Sequence, residues 1–269
     1  MTTEFAQVLE RLRAEKPLVL SLTNSVVQNI TANMLLAVGA APVMLNDAAE
    51  SEQLLRTAAG GLLVNVGTLS HPQAEQMRRA VDAAHAAGVP WVLDPVAVGL
   101  LSFRTEFCRE LLALHPTLIR GNASEIMALA GVAAGGRGTD TTEESAAAVQ
   151  AAQQLASQCG CAVLVTGAVD YVTDGDRLLA LANGDPLMTR VTGVGCAMGA
   201  LAAACVAVAP DAFTGAAACA AILGLAGERA AARCPHPGSF AAALLDELDS
   251  LNPADVVHFV RLDEKSCLR

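Results

Sequence analysis

The residues best suited to chemistry lie in the stretch Asn183–Gly199. The letters TGVGC at 192–196 form a glycine-broken turn, and the Ala-, Leu- and Met-rich residues 197–208 predict a helix directly after it. Two glycines before a helix let backbone N–H groups converge without obstruction by Cβ atoms. The helix N-terminus adds positive potential. The short apolar run Leu187–Val191 predicts an extended segment that leads into the turn. This pattern favours an oxyanion site, most often for phosphate, although an ordinary strand-to-helix turn remains an alternative.

Cys196 occupies the first turn of that predicted helix. The field of a helix N-terminus favours a thiolate and lowers a thiol pKa, so we expect Cys196 to be partly ionised near neutral pH. Such a group can accept a proton as a general base. Two other interpretations are a buried, inert cysteine and a side chain that only shapes the pocket while the backbone N–H groups stabilise the anion.

Short apolar segments alternate with amphipathic helices along the first two thirds of the chain, which predicts an α/β fold with a mostly parallel central sheet and helices on both faces. A hairpin pattern follows over Asp170–Leu181, and the chain after Cys196 is mostly helical. Residues 134–142, rich in Gly and Thr, are the least ordered-looking internal stretch. No linker divides the chain, so we predict one domain over residues 1–269. The predicted strands are Pro17–Leu22, Pro42–Leu45, Leu62–Val66, Val89–Leu93, Thr117–Ile119 and Ala162–Thr166.

Ligands of such sheets bind outside the carboxyl ends of the strands. Several residues with chemical or conformational potential fall at these ends, and their convergence predicts a site more strongly than any one motif. They are Asn24, Met44, Gly67, Asp94, Arg120, Thr166 and the Gly193 turn.

Two carboxylates are candidates for a magnesium site. Asp94 follows an apolar strand, and a carboxylate at a strand end can hold Mg²⁺ directly or through water. Glu125 follows a polar turn at 122–124 and could supply a second carboxylate. The alternatives are a helix cap or turn for Asp94 and a favourable first-turn acid for Glu125.

Three other strand-end residues are candidates for ligand contacts. Arg120 is a cation after a buried strand and suits a polyphosphate, or else a surface ion pair. Thr166 combines a hydroxyl with the backbone N–H of Gly167, which suits a nucleotide phosphate or a simple β-turn. Met44 is an apolar contact, either in the core or with substrate.

Composition narrows the classes of function. A formal net charge of −10 and a pI of about 4.9 argue against a nucleic-acid surface. No apolar run reaches the ~18 residues expected of a membrane span, and no secretory leader is visible. Eight cysteines then indicate reduced thiols in a cytoplasmic protein. We expect no zinc site at Cys159 and Cys161, because no second Cys or His pair lies at metal spacing.

Six motifs occur in a fixed order between about residues 18 and 205. Together they resemble the hydroxyethylthiazole kinase family. The resemblance implies a ribokinase-like α/β fold, a ring-shaped homotrimer with pockets between subunits, and ATP-dependent phosphorylation of 4-methyl-5-(2-hydroxyethyl)thiazole in thiamine salvage. The motifs are TNSVVQNITAN at 23–33, APVM at 41–44, NVGTL at 65–69, DPV at 94–96, RGNASE at 120–125 and the turn ending at Cys196.

The resemblance also implies roles for individual residues. Met44 and Gly193 would line the thiazole site, with Asn24 nearby. Arg120 and Thr166 would contact ATP, while Asp94 and Glu125 would lie on the Mg²⁺ and phosphate side.

The turn is similar to the anion hole of ribokinase-like enzymes, which generally place an Asp base where this chain has Cys196. Val194 and Gly195 would contribute backbone N–H groups. Val194 stands where the family often has Thr, Ala97 where it often has Gly, and Asp185 where His is common. Ala97 could narrow the approach to Asp94.

Three alternatives remain at this level. One is a related kinase for another vitamin alcohol of the pyridoxine or pyrimidine type. Another is a non-catalytic thiazole or nucleotide sensor, against which the retained Asp94, Arg120, Glu125 and Cys196 argue. The third is a lyase on the same fold, a nicotinamide-nucleotide hydrate dehydratase, which would give no phosphorylated product.

Overall fold

The computed structural model describes residues 1–132 and 141–265, and a nine-stranded sheet lies at the centre of these residues. The strand order is β2-β1-β3-β4-β5-β6-β7-β8-β9. The first six strands in this order run parallel, and the last three join by antiparallel pairing. The strands are β1 Leu18–Leu22, β2 Ala41–Val43, β3 Gly61–Asn65, β4 Trp91–Asp94, β5 Leu118–Asn122, β6 Ala162–Thr166, β7 Asp170–Thr173, β8 Leu178–Leu181 and β9 Leu262–Lys265.

Helices cover both faces of the sheet, as the sequence predicted. The α-helices of the described residues are α1 Thr2–Glu15, α2 Gln28–Val38, α3 Ala48–Thr57, α4 His71–Ala87, α5 Ser102–Leu112, α6 Ala123–Leu129, α7 Thr141–Cys159, α8 Val194–Val208, α9 Ala212–Arg233, α10 Pro237–Ser250 and α11 Pro253–Phe259.

Alternation along each central strand divides the interior into two apolar cores. Val19 and Leu63 point into the core formed with α1, α2, α8, α9 and α10, whereas their neighbours Leu20 and Leu62 point into the core formed with α4, α5, α6 and α7. All four side chains are fully buried. Because both faces are covered, most residues of the parallel strands are apolar in the sequence.

Helix α9 is long and apolar enough to cross a membrane by length and composition alone, although the sequence analysis found no run of that kind. In the structure 78% of its most apolar window is buried. Burial among α1, α8 and α10 accounts for its Ala- and Leu-rich composition.

The prediction of an extended segment at Leu187–Val191 is wrong. Residues Pro186–Arg190 form a 3-10 helix, whose first turn is capped by Asp185. The Asp185 carboxylate accepts a hydrogen bond from the N–H of Leu187 at 2.8 Å, and its carbonyl accepts one from the N–H of Met188 at 3.0 Å. Proline at the first position suits a helical start, so this local cap outweighs the apolar pattern.

Other differences are small. Strand β5 is longer than predicted, because Arg120, Gly121 and Asn122 continue the pairing with β6. Strand β9 was not predicted. The predicted hairpin over Asp170–Leu181 is confirmed as β7 and β8. Most of the Gly- and Thr-rich stretch 134–142 lies outside the described residues.

Candidate active site

The predicted strand-end residues of β3 to β6 lie along one edge of the sheet. Asn65 and Asp94 are direct register partners at the ends of β3 and β4. Asn122 and Thr166 are partners at the ends of β5 and β6. Because the strands are parallel, their carboxyl ends face the same side, where helix α8 also begins.

A chain of side-chain hydrogen bonds joins the predicted metal residue to the predicted catalytic thiol. The Asn65 amide nitrogen donates to Asp94 Oδ2 at 2.6 Å. The Asn24 amide nitrogen donates to Asn65 Oδ1 at 3.0 Å and to Cys196 Sγ at 3.4 Å. Asn24, Asn65 and Asp94 are 5%, 1% and 0% exposed, so the chain is shielded from water.

Arg120 lies between Asp94 and the end of β6. Its Nη1 is 3.6 Å from Asp94 Oδ1, and its Nη2 donates to Thr166 Oγ1 at 3.0 Å. The same guanidinium faces the start of α8, where a Cβ added to Gly195 would lie 3.3 Å from Nη2. A cation therefore lies against the amides of the predicted anion hole.

Glu125 has a structural role that the sequence analysis left open. It closes a capping box at the start of α6: its Oε2 accepts from the N–H of Asn122 at 2.9 Å, and its own N–H donates to Asn122 Oδ1. Its Oε1 accepts from the N–H of Ala97 at 3.0 Å. Each carboxylate oxygen keeps a second lone pair, so capping leaves room for a further contact.

Ala97 has a left-handed backbone with φ of 61°. An L-residue with a Cβ is disfavoured there, which explains why glycine suits this position. The loop is nevertheless held by the bond from Ala97 to Glu125. The departure at Ala97 therefore affects backbone strain next to the predicted phosphate side.

The turn at 193–196 is more helical than predicted. Gly193 is the N-cap of α8 with φ of 95°, and Val194, Gly195 and Cys196 are the first three helical residues. A Cβ at Gly193 would lie 2.7 Å from Ile30 and 2.9 Å from Val27, so only glycine fits against α2. The N–H groups of Gly195 and Cys196 have no acceptor four residues back, which makes them available to an anion, whereas the Val194 N–H donates to the carbonyl of Val191 at 3.5 Å.

The prediction of a partly ionised Cys196 is wrong. Burial raises the pKa of the Cys196 thiol, and the nearby Asp94 charge raises it further. The neighbouring amide groups of Asn65 and Asn24 and the charge of Arg120 oppose this increase in the pKa. The helix field is outweighed because the thiol is withdrawn from water beside a carboxylate.

Two acidic groups have raised pKa values at this edge. Burial raises the pKa of Asp94 to about 7, against the charge of Arg120 and with an additional increase from Glu125. The position of Asp94 at the end of a strand suggests exposure to solvent. In the structure, however, Asp94 is fully buried. Burial also raises the pKa of Asp170 to about 6, although it accepts a hydrogen bond from the N–H of Gly167 at 2.9 Å.

Two cavities open at this edge of the described residues. The first, of about 660 Å³, is lined by four predicted site residues, and its apolar wall includes Met188, Met198 and Leu223. The second, of about 620 Å³, is lined by Ala97 and Glu125 among others. The four predicted residues in the first cavity are Arg120, Thr166, Val194 and Gly195.

The three predicted thiazole residues are not among those that line these two cavities. Met44 is half-buried directly after β2 at the edge of the sheet, and Gly193 packs against α2. Asn24 is buried in the hydrogen-bond chain. The structure therefore places the predicted thiazole residues on the β1, β2 and α2 side of the predicted ATP residues.

The sequence analysis gave no role to Asn65 or Asp170. Asn65 is the polar last residue of an otherwise apolar strand, the same signal that identified Asp94. Asp170 begins β7 and lines the first cavity, where no motif marks it.

The carboxylates fit a magnesium ion of the kind that nucleotide enzymes use. Asp94 Oδ1 is buried and accepts no hydrogen bond from the described residues. No group of three or more His, Cys, Asp or Glu side chains suited to a metal occurs in the described part of the chain. The carboxylates of Asp94 and Glu125 suit a Mg²⁺ ion that is held by one or two carboxylates, with phosphate oxygens and water completing its coordination shell.

The mostly parallel sheet with helices on both faces is a ribokinase-like fold, and an arginine, two carboxylates and a helix N-terminus at its carboxyl edge suit a phosphotransferase. The fold agrees with a pyridoxal kinase from Staphylococcus aureus solved with ADP, with a TM-score of 0.62 over 79% of this chain and 88% of that one at 15% identity.

The chain belongs to the hydroxyethylthiazole kinase family, whose sequence model matches residues 9–254. A hydroxyethylthiazole kinase from Akkermansia muciniphila is 54% identical over 253 residues, 94% of this chain and 93% of the relative. One from Klebsiella pneumoniae is 56% identical over 90% of this chain and 94% of the relative. The solved hydroxyethylthiazole kinase protein from Pyrococcus horikoshii has a TM-score of 0.90 and 37% identity, over 97% of this chain and 99% of that one.

Proposed function

We propose that this enzyme transfers the γ-phosphoryl group of ATP to the hydroxyl of 4-methyl-5-(2-hydroxyethyl)thiazole, giving the thiazole phosphate used in thiamine salvage. The observation that carries the proposal is the juxtaposition, at the start of α8, of Arg120, the first-turn amides and the thiol of Cys196. Membership of the hydroxyethylthiazole kinase family supports the choice of substrate.

ATP binds in the first cavity, between the ends of β5 and β6 and the 3-10 helix. The apolar wall at Met188 and Leu223 suits the base, and Arg120 with Thr166 suits the phosphates. Asp170 holds the Thr166–Gly167 turn by accepting the N–H of Gly167. The nucleotide is thus directed with its phosphates toward α8.

The γ-phosphate lies over the N–H groups of Gly195 and Cys196, with Val194 beside them as the first residue of α8. These amides and Arg120 stabilise the charge that develops on the transferring group, because they are oriented before the reaction begins. Positioning and charge neutralisation provide most of the catalysis in phosphoryl transfer. The chain supplies both at this helix start.

The substrate hydroxyl lies between the γ-phosphate and Cys196. Cys196 accepts the hydroxyl proton late in the transfer, as a modest general base. Its raised pKa in the unliganded protein means that the thiol is largely protonated before the reaction. A loose transition state demands little of the base, so a small thiolate fraction suffices.

Asp94 and Glu125 hold Mg²⁺ on the phosphate side. When bound, the ion neutralises charge on the phosphate oxygens. The buried Oδ1 of Asp94, which accepts no hydrogen bond from the described residues, supports this assignment. Asp94 also orients Arg120 through their ion pair. The same carboxylate thus interacts with the guanidinium and with Mg²⁺.

The protein assembles as a cytoplasmic homotrimer whose thiazole pockets lie between subunits. Met44 follows the edge strand β2 and is only half-buried. Val26 and Leu36 are 67% and 59% exposed near α2, which suits a subunit contact. A partner at this face would enclose the side of the site where Met44 and Gly193 lie.

A substrate panel tests the proposed function. Purified enzyme with Mg-ATP is given the thiazole alcohol, pyridoxine or a hydroxymethylpyrimidine, and phosphorylated product is measured by mass spectrometry. We expect the thiazole phosphate to form with the highest kcat/KM of the three. Preference for another alcohol, or nucleotide binding without any product, would contradict the proposal.

A further inference from the structure

We propose that Asn65 is a positioning residue of the transfer reaction, which couples Asp94 to Cys196 through Asn24. This inference rests on the proposed function and assigns a role to a residue that touches neither of the two substrates in that proposal. Asn65 ends β3, and only 1% of its surface is exposed.

The hydrogen bonds of Asn65 fix the orientation of its amide. Its Oδ1 accepts from the N–H of Gly67 and from the amide of Asn24, both at 3.0 Å. Its Nδ2 donates to Asp94 Oδ2 at 2.6 Å. A flipped amide would point its NH₂ group at two donors and its oxygen at a carboxylate, so only one orientation satisfies all three partners.

Asn24 is fixed in turn. Its Oδ1 accepts from the N–H of Val26 at 3.2 Å, and its Nδ2 donates to both Asn65 and Cys196. Both N–H groups and one lone pair of the Asn24 side-chain amide are thus used within the protein. Its orientation toward the thiol depends on the acceptor that Asn65 provides.

Close packing against Gly67 prevents the Asn24 side chain from moving toward that residue. A Cβ at Gly67 would lie 2.6 Å from Asn24 Nδ2 and 2.8 Å from its Cβ, so glycine at 67 is required by this contact. Asn65, Gly67 and Asn24 therefore form a rigid support behind Cys196. This support fixes the position of the Asp94 carboxylate relative to the Cys196 thiol.

This support matters because phosphoryl transfer depends on placement. Displacement of a reacting group by about 1 Å can reduce the rate on the order of a hundredfold. Loss of Asn65 should therefore lower kcat more than it changes either KM. A residue with only a structural role would lower the melting temperature and leave kcat per folded enzyme unchanged.

The first test compares Asn65→Leu, which removes every side-chain hydrogen bond, with Asn65→Asp, which keeps the acceptor for Asn24 but cannot donate to Asp94. We expect kcat to fall at least about tenfold in both, with KM for ATP and for the thiazole alcohol changed less than about threefold. Thr173→Val is the matched control, because Thr173 is also 1% exposed and doubly hydrogen-bonded but lies in the β7–β8 hairpin. Wild-type kcat in either folded Asn65 variant would overturn the coupling.

A double-mutant cycle tests the route through Cys196. If Asn65 acts by placing the thiol, Asn65→Leu should cost less than about threefold in a Cys196→Ala background. An undiminished tenfold loss in that background would overturn the role of Asn65 as a support for Cys196.

A readout without turnover separates this inference from the proposed function. Alkylation of Cys196 by iodoacetamide in the substrate-free enzyme is followed by peptide mass spectrometry, with half-buried Cys234 as the internal reference. We expect Asn65→Leu to slow alkylation of Cys196 at least about threefold, because Asn24, no longer held by Asn65, stabilises the thiolate less well. Unchanged alkylation would overturn the coupling even if the enzyme phosphorylated a different alcohol, which would contradict only the proposed function.

Discussion

The guanidinium of Arg120 lies 3.6 Å from the carboxylate of Asp94, and the two side chains are 10% and 0% exposed. The residue proposed to bind ATP and the residue proposed to hold Mg²⁺ therefore form one buried electrostatic unit. Removal of either partner leaves the other charge uncompensated away from water. Substitutions at this pair should change both ligand binding and folding stability.

Arg120→Ala should weaken ATP binding far more than binding of the thiazole alcohol. Loss of a charge-assisted contact costs ~1.5–3 kcal/mol, and a guanidinium suits phosphate oxygens better than a neutral alcohol. The variant should also unfold at a lower temperature, because Asp94 loses its partner. Calorimetric titration and thermal unfolding measure the two effects.

Arg78→Ala is the matched arginine control. Arg78 forms an exposed ion pair with Glu110 on the surface, so its loss should change ATP affinity little and stability by less than ~1 kcal/mol. Unchanged ATP affinity in Arg120→Ala would remove Arg120 from the nucleotide site.

Asp94→Asn should lower turnover at fixed Mg²⁺ and change how stability depends on pH. In the wild type burial raises the pKa of Asp94 to about 7, above its unfolded value. Its contribution is then fully present below the unfolded pKa of about 4 and is lost as pH rises through about 7, by at most ~4 kcal/mol. The variant lacks this loss, so it should gain stability relative to the wild type between pH 4 and pH 7.

Urea unfolding of both proteins across that range gives the difference directly, because the other titrating groups are common to both. A constant difference in the free energy of unfolding would show that the pKa of Asp94 is not raised. Full activity in the folded variant would remove Asp94 from the metal site.

The parallel strands of the fold were predictable from the sequence because they are apolar. Segments such as Leu62–Val64 and Trp91–Leu93 are buried on both faces, so a continuous apolar run indicates a strand wherever helices cover both sides. The 3-10 helix at Pro186–Arg190 was not predictable in this way, because a run of five residues is too short for its period to decide between strand and helix.

The candidate site was predictable as a set of strand-end residues, but not in its energetics. Position at a strand end marked Asp94 and Thr166 as candidates, whereas Arg120 lies within β5, two residues before its end. Sequence position did not reveal that Asp94 is fully buried or that Asn65 connects it to Asn24. It gave the wrong direction for the pKa of Cys196, because the helix field is visible in the sequence whereas burial and a neighbouring carboxylate are not.

The role of Cys196 is tested by two substitutions. Cys196→Ser keeps a similar size but removes accessible ionisation. We expect kcat to fall roughly tenfold or more, and removal of a general base usually costs ~10²–10⁴-fold. Cys196→Asp restores a base and should retain substantial activity. Because burial raises the pKa of the thiol, wild-type kcat should rise with pH above neutrality, whereas Cys196→Asp should show a flatter profile.

Rates are measured at saturating Mg-ATP across pH 6 to 10. Cys196→Ser at the wild-type rate, with Cys196→Asp impaired by repulsion of the γ-phosphate, would show that only the helix amides act.

Leu36→Glu should disrupt the proposed trimer. Leu36 is 59% exposed on α2, and a buried glutamate in a subunit contact would be unpaired. We expect light scattering to give a trimer for the wild type and smaller species for the variant, with KM for the thiazole alcohol raised more than KM for ATP. Val257→Glu is a control at another exposed apolar residue, on α11. A fully active wild-type monomer would contradict a shared site.

The most direct test of the account is a crystal structure with the thiazole alcohol and a non-hydrolysable ATP analogue. We expect the γ-phosphate to accept hydrogen bonds from the N–H groups of Gly195 and Cys196 at ~2.7–3.2 Å, with Arg120 on its oxygens and the substrate hydroxyl beside Cys196 Sγ. A γ-phosphate remote from the start of α8, or a thiazole alcohol remote from Cys196, would contradict the account.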